Sequence, residues 1–133
     1  MKHKRFTFSK DERLHSKVLI EDLFANGKSF FNYPFKVIVT HTLSEKLPGV
    51  KVLISVSKRN FKKAVDRNQI KRLIREAYRK NKFLLTESAN EKMLIIHIAF
   101  IYTAKSILSY QEIERKIILI LQTIKNQNEV SAD

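Results

Sequence analysis

The side chains of this 133-residue chain whose type and spacing suit them to chemistry are cations. Asn68, Lys71, Arg72, Arg75 and Arg79 recur at one, three and four residues, so on a helix turning about 100° per residue they share one band. Ile70, Leu73, Ile74, Ala77 and Tyr78 form an apolar stripe beside it. Such a helix docks on a core by one face and offers guanidinium forks and an ammonium to phosphate oxygens by another. Between Lys58 and Lys82 stand eleven Lys and Arg against two acids, Asp66 and Glu76, a net of +9 out of +13 for the whole chain. Solvated helix faces usually mix signs at i,i+4 spacing, whereas this band is nearly all positive, with Glu76 at its edge. Charge this concentrated describes a surface made to face a polyanion.

Groups that could catalyse a reaction unaided are not evident. His3, His15, His41 and His97 have no i,i+3 or i,i+4 partner, and no His-Glu-x-x-His pattern occurs. Two glycines leave no Gly-rich phosphate loop, and the absence of cysteine removes disulfides and thiolate metal sites. His97, inside an apolar run, reads as a hydrogen-bonded core histidine. Asp11-Glu12 and Glu21-Asp22 are helix-surface pairs, whereas a metal-dependent nuclease needs several carboxylates converging on two cations. The isolated protein is therefore expected to cleave nothing and to carry no catalytic residue.

The basic helix must be positioned by the elements around it. Residues 1–15 read as a basic extended arm anchored by Phe6, Phe8 and Leu14. Ser16 caps a helix to about Ala25, broadly apolar through Leu19, Ile20, Leu23 and Phe24, with Asn26-Gly27 as a left-handed stop. A short strand at Ser29–Phe31 gives way at Asn32 to a longer one from Tyr33, in which Phe35, Val37 and Val39 alternate with Lys36, Ile38 and Thr40. Phe30 and Phe31 read as core or edge packing. After the turn signal Pro48-Gly49, Val50, Val52, Ile54 and Val56 alternate in a further strand, and the two neighbouring strands suggest an antiparallel pair. The basic helix follows, with Asp66 and Gln69 as a capping box, although Ala64 and Val65 could supply an earlier turn. Asn81–Lys92 is polar with an apolar knot at Phe83–Leu85. Met93–Phe100 suits a central strand covered on both faces. Ser109 and Glu112 form a second capping box, opening a helix from Tyr110 to about Lys125 that buries Ile113, Ile117, Ile120, Leu121 and Ile124. Residues 126–133 read as a frayed polar tail. The elements run α-β-β-β-α-β-α in a single domain over residues 1–133.

The run Ala64-Val65-Asp66-Arg67-Asn68-Gln69-Ile70-Lys71-Arg72-Leu73-Ile74-Arg75-Glu76-Ala77-Tyr78-Arg79, preceded by Ser55-Val56-Ser57-Lys58-Arg59, resembles the signature of the bacterial ribonuclease P protein subunit. The resemblance extends from about Phe8 to Lys125. It departs from the family's Arg-Asn-Arg core at its third place, where Gln69 keeps hydrogen-bonding capacity and loses a charge. The resemblance implies an α+β fold, a two-layer α/β sandwich with a left-handed β-α-β crossover through the basic helix. It also implies that the catalyst is the RNA subunit, which uses Mg²⁺ to remove the 5′ leader of precursor tRNA, so the partners are ribonuclease P RNA and precursor tRNA. No protein partner can be inferred, and the resemblance implies that Mg²⁺ is held mainly by the RNA subunit and the RNA–protein interface, with none tightly bound to the protein alone. The family's RNA contacts carry over to Arg67, Asn68, Lys71, Arg72, Arg75 and Arg79, with Arg59 and Lys62 in the loop and Gln69 as a weakened member. Its leader cleft maps to Ile20 and Phe24 on the first helix and Lys36 and Ile38 on the strand. The alternative at the cleft is that Ile20 and Phe24 simply pack on the sheet.

Composition agrees with a ribonucleoprotein. So positive a chain repels itself unless a polyanion neutralises it. No apolar run follows the basic N-terminus, and Met93–Tyr102, interrupted by His97, is about half a membrane span, so the chain reads as soluble and cytoplasmic. Two rival functions stand beside this reading. A ribosomal-type RNA binder would lack the strand-loop-helix signature, and a duplex-DNA reader would need a dimer and a helix-turn-helix partner.

Overall fold

A nearly continuous apolar strand has to be covered on both faces, and that requirement sets the architecture. The computed structural model describes residues 8–131, with side chains through Gln127. The elements are α1 (Lys17–Asn26), β1 (Lys28–Asn32), β2 (Phe35–Leu43), β3 (Gly49–Val56), α2 (Ala64–Asn81), α3 (Phe83–Glu91), β4 (Leu94–Tyr102) and α4 (Tyr110–Ser131). β4 takes the inside of a four-stranded sheet of order β1-β2-β4-β3, antiparallel to β2 and parallel to β3. The antiparallel pairing expected between β2 and β3 does not form. The most apolar strand lies between them, and their connecting loop passes its entry, where Ser44 N–H donates to Met93 O at 2.8 Å. β1 pairs with β2 instead, around a cis Tyr33-Pro34 peptide.

One sheet face carries the main core. Phe35, Val37 and Val39 of β2, Val50, Val52 and Val56 of β3, and Ile96, Ile98, Phe100 and Tyr102 of β4 meet α2, α3 and α4. The five residues expected on the buried side of α4 are all fully buried. That helix opens on Ser109, whose Oγ accepts from Glu112 N–H, and it runs through Ser131, past the point where a frayed tail was expected. α3 occupies a stretch expected to be a polar segment. Its buried residues are few, Leu85, Ser88 and Ala89, so its periodicity is faint.

The opposite face is covered in part by α1, over a small core of Leu14, Leu23, Ile38 and Ala99. The described part of the expected arm, residues 8–15, is seated on the sheet: after a 3₁₀ turn at Lys10–Glu12, Leu14 N–H donates to Val52 O on the edge of β3 at 2.9 Å. Of the three anchors expected there, Leu14 is buried, Phe8 packs edge-on against Tyr78, and Phe6 lies outside the described residues. Glu12 accepts from Lys82 Nζ at 2.8 and 2.9 Å, tying this segment to the junction of α2 and α3.

Ser16 caps α1 as expected, its Oγ accepting from Leu19 N–H. Gly27 closes that helix without left-handed geometry, at φ −70°. Glycine is needed there for another reason: a Cβ would stand 2.4 Å from Leu23 O and 2.5 Å from Ile38 Cγ2, so α1 could not end so close to β2. Gly27→Ala should therefore cost about 1–3 kcal/mol, the range for overpacking, with its strain centred on α1. Denaturant unfolding checks this; a change below about 0.5 kcal/mol, within the scatter of surface substitutions, would mean that α1 shifts freely on the sheet.

Candidate nucleic-acid interface

The basic band begins in a loop that is held from inside. Phe61 is buried, with its ring 6.1 Å from that of Tyr102, and Asn60 Nδ2 donates to Thr103 O at 3.4 Å. Ser57 Oγ accepts from Arg59 N–H at 3.0 Å. Between these anchors Lys58, Arg59, Lys62 and Lys63 point into solvent.

α2 then continues the band. Ile70, Ile74, Ala77 and Tyr78 are fully buried, and Leu73 is partly buried against the same core. Asn68, Gln69 and Arg72 are exposed, while Lys71 and Arg75 are half-buried at the rim. The helix starts at Ala64 with Lys63 as its cap residue and no side-chain cap, so the Asp66–Gln69 capping box does not form. Asp66 sits instead in the first turn, where a carboxylate suits the positive helix end. The earlier start follows from Arg67, whose Nη1 donates to Phe61 O at 2.7 Å and Lys62 O at 2.9 Å. Arg67 thus clamps the loop onto the helix, keeping its Nε and Nη2 donors for an outside partner. Gln69 is left with no capping duty.

The C-terminal part of α2 serves a different purpose. Glu76 takes two hydrogen bonds from Arg79 and lies 3.8 Å from Lys80 Nζ. The hydrogen bond from Arg79 holds the Glu76 carboxyl below its ordinary pKa, and the same bond raises that of Arg79. Asn81 Nδ2 donates to Ala77 O and to Glu114 of α4, which also accepts from Tyr110 Oη at 2.9 Å. Lys80 stands over the Tyr110 ring, 5.5 Å from its centroid. Arg79 is therefore neutralised locally, unlike the cations before it. None of Lys58, Arg59, Lys62, Lys63, Arg67, Lys71, Arg72 and Arg75 forms an ion pair with a described acid. Burial first, and then the charge of Arg13, lower the proton affinity of Arg75.

The four candidate cleft residues divide into two pairs. Ile20 packs against the small core and Ile38 is buried in it, whereas Phe24 is 48 % exposed and Lys36 is exposed. Phe31, expected to pack in the core or at an edge, is 61 % exposed and lies opposite Lys36 in the β1–β2 register, on the same sheet face as Ile38. Its ring lies 6.4 Å from that of Tyr33, which is also exposed. The face beside α1 therefore offers three open rings and an ammonium, of which the family resemblance had implied Phe24 and Lys36 but neither Phe31 nor Tyr33.

His97 is buried in β4, as expected, but its ring makes no hydrogen bond to another described residue. Burial first, then the charge of Lys51, keep it below its ordinary pKa. Among the described residues no group of three or more His, Asp and Glu is placed to hold a metal ion, and no helix is long and apolar enough to cross a membrane.

Residues 8–125 match the model of the Ribonuclease P family. The ribonuclease P protein component of Porphyromonas gingivalis is 37% identical over 110 residues, covering 83% of this chain and 80% of that protein. That of Chlorobium phaeobacteroides is 37% identical over 126 residues, covering 87% of this chain and 86% of the relative. The RNase P protein of Thermotoga maritima superposes with a TM-score of 0.64 at 25% identity, over 84% of this chain and 96% of its own. With its signature helix, its sheet and its relatives all in agreement, the chain belongs to the ribonuclease P protein family.

Proposed function

We propose that this chain binds ribonuclease P RNA along the loop at Lys58–Lys63 and the first three turns of α2, and receives the 5′ leader of precursor tRNA beside α1. As a ribonuclease P protein component it belongs to an endoribonuclease that matures the 5′ end of tRNA together with its RNA subunit. Family membership sets aside the ribosomal module and the DNA reader. The observation that carries the RNA-binding reading is the row of eight cations from Lys58 to Arg75, fixed on a buried stripe and unpaired with any described acid.

The chemistry assigned to the chain is electrostatic and positional. Unpaired cations displace counterions from an RNA backbone and let two polyanions, catalytic RNA and substrate, approach each other. Phe24, Phe31 and Tyr33 suit stacking of unpaired leader bases, and Lys36 suits the backbone beside them. The carboxylates and histidines described do not fit a resident Mg²⁺, so no step on this chain is assigned to one. In the proposed particle the catalytic ion is held by the RNA.

Reconstitution tests the function. Added to its host's ribonuclease P RNA at low Mg²⁺, the protein should restore cleavage at the mature 5′ end of precursor tRNA, while the RNA alone remains slow. Equal cleavage with and without protein would contradict the reading, as would cleavage by RNA-free, nuclease-clean protein.

The two kinds of arginine on α2 should separate in a binding assay. Arg72→Ala should weaken affinity for ribonuclease P RNA with an unchanged Tm. Arg67→Ala should weaken affinity and also cost about 1–3 kcal/mol of stability, since it removes two charge-assisted bonds to carbonyls of the loop. Melting and binding measured side by side check this. Equal stability of the two variants would mean that the clamp does not hold the loop.

A further inference from the structure

The segment before α1 contributes cations of its own beside α2. Arg13 is fixed twice: its backbone bridges to Val52 on the edge of β3, and its guanidinium carbon lies 5.2 Å from the centroid of the Phe8 ring. Phe8 in turn leans on Tyr78 of α2, with ring centroids 5.6 Å apart. Between this segment and α2 runs a groove of about 500 Å³ whose rim carries Lys10, Arg13, His15, Lys71 and Arg75.

No acid lines the groove among the described residues. Among the described residues neither Arg13 nor Arg75 is in an ion pair, and the nearby Glu12 is turned away to Lys82. Burial, and after it the charge of Arg13, lower the proton affinity of Arg75. Two arginines lining one groove, neither in an ion pair with a described acid, suit it to an anion.

We propose that Arg13 and Arg75 jointly seat one backbone phosphate of the RNA that binds α2, with Lys71 beside it. This rests on the reading of α2 as an RNA-binding helix and extends that surface across the edge of β3. The source of the phosphate is the catalytic RNA rather than the leader, because Lys71 and Arg75 belong to the α2 band and the groove is separate from the open rings beside α1. A shared phosphate makes the two arginines one unit: losing either loses the contact.

Binding of full-length protein to ribonuclease P RNA, without precursor, tests this. Arg13→Gln and Arg75→Gln should each lower affinity by about tenfold at low salt, the lower end for a charge-assisted hydrogen bond, and the double variant by little more. Arg115→Gln, which removes an equal charge from the exposed side of α4, should change affinity little. Multiplicative losses in the double variant, or an equal loss for Arg115→Gln, would overturn the shared seat. So would a loss seen only when a precursor with a leader is present. If Arg72→Ala weakens binding and Arg13→Gln does not, this proposal fails alone; if neither does, the RNA-binding reading of α2 fails first. Phenylglyoxal modification of the unaltered protein gives an answer that needs no variant. Arg13 and Arg75 should both be protected by saturating ribonuclease P RNA, and an Arg13 that reacts equally fast free and bound would refute the proposal.

Discussion

Burial of the apolar stripe on α2 is the interaction on which the rest depends. Ile70, Ile74, Ala77 and Tyr78 are fully buried, and large side chains of this kind contribute about 1.5–3 kcal/mol each. Against that stands the mutual repulsion of exposed cations, about 1 kcal/mol per pair at 4 Å in water and less at helical spacing or in salt. The core term is the larger. It lets the protein keep a band of like charge rigid and uncompensated, ready for a polyanion. The same helix shows the other solution at its far end, where Glu76 neutralises Arg79 and Asn81 ties the chain to Glu114. The boundary between open and satisfied cations therefore falls near Arg75, within one helix.

The second constraint is the central position of β4. An apolar strand flanked on both edges leaves two sheet faces to cover, and α2, α3 and α4 take one of them. The other receives only α1, which seals a small core around Leu23 and Ile38. What α1 does not cover stays open beside it, including Phe31 and Lys36. A surface suited to single-stranded RNA thus arises where a layer is incomplete. Gly27 sets how closely α1 lies on β2, and so how that open area is shaped.

The elements and the interface were legible in the sequence to different degrees. The stripe and band of α2 could be drawn from 3.6-residue spacing, and the buried side of α4 likewise, because long periodic helices carry many repeated signals. Strand alternation located β2 and β3 but not their neighbours, since a period of two says which face a residue takes and nothing about which strand lies alongside. α3 was missed because three buried residues in nine give almost no period. The clamp made by Arg67 was hidden for another reason: a side chain that folds back on its own loop looks, in sequence, like its solvent-facing neighbours. Phe31 was misplaced because an aromatic in a strand usually packs, and only the short reach of α1 leaves it exposed.

The central claim is that the cations from Lys58 to Arg75 meet RNA phosphates. The most direct measurement is the affinity of the unaltered protein for ribonuclease P RNA across a range of salt. With each neutralised phosphate contributing about 0.7–0.9 to the slope of log affinity against log salt, four or more contacts give about −3 or steeper. That steep fall is the result predicted here. A slope of about −1 or shallower, a single contact's worth, would contradict the account, because the unpaired band would then face something other than RNA.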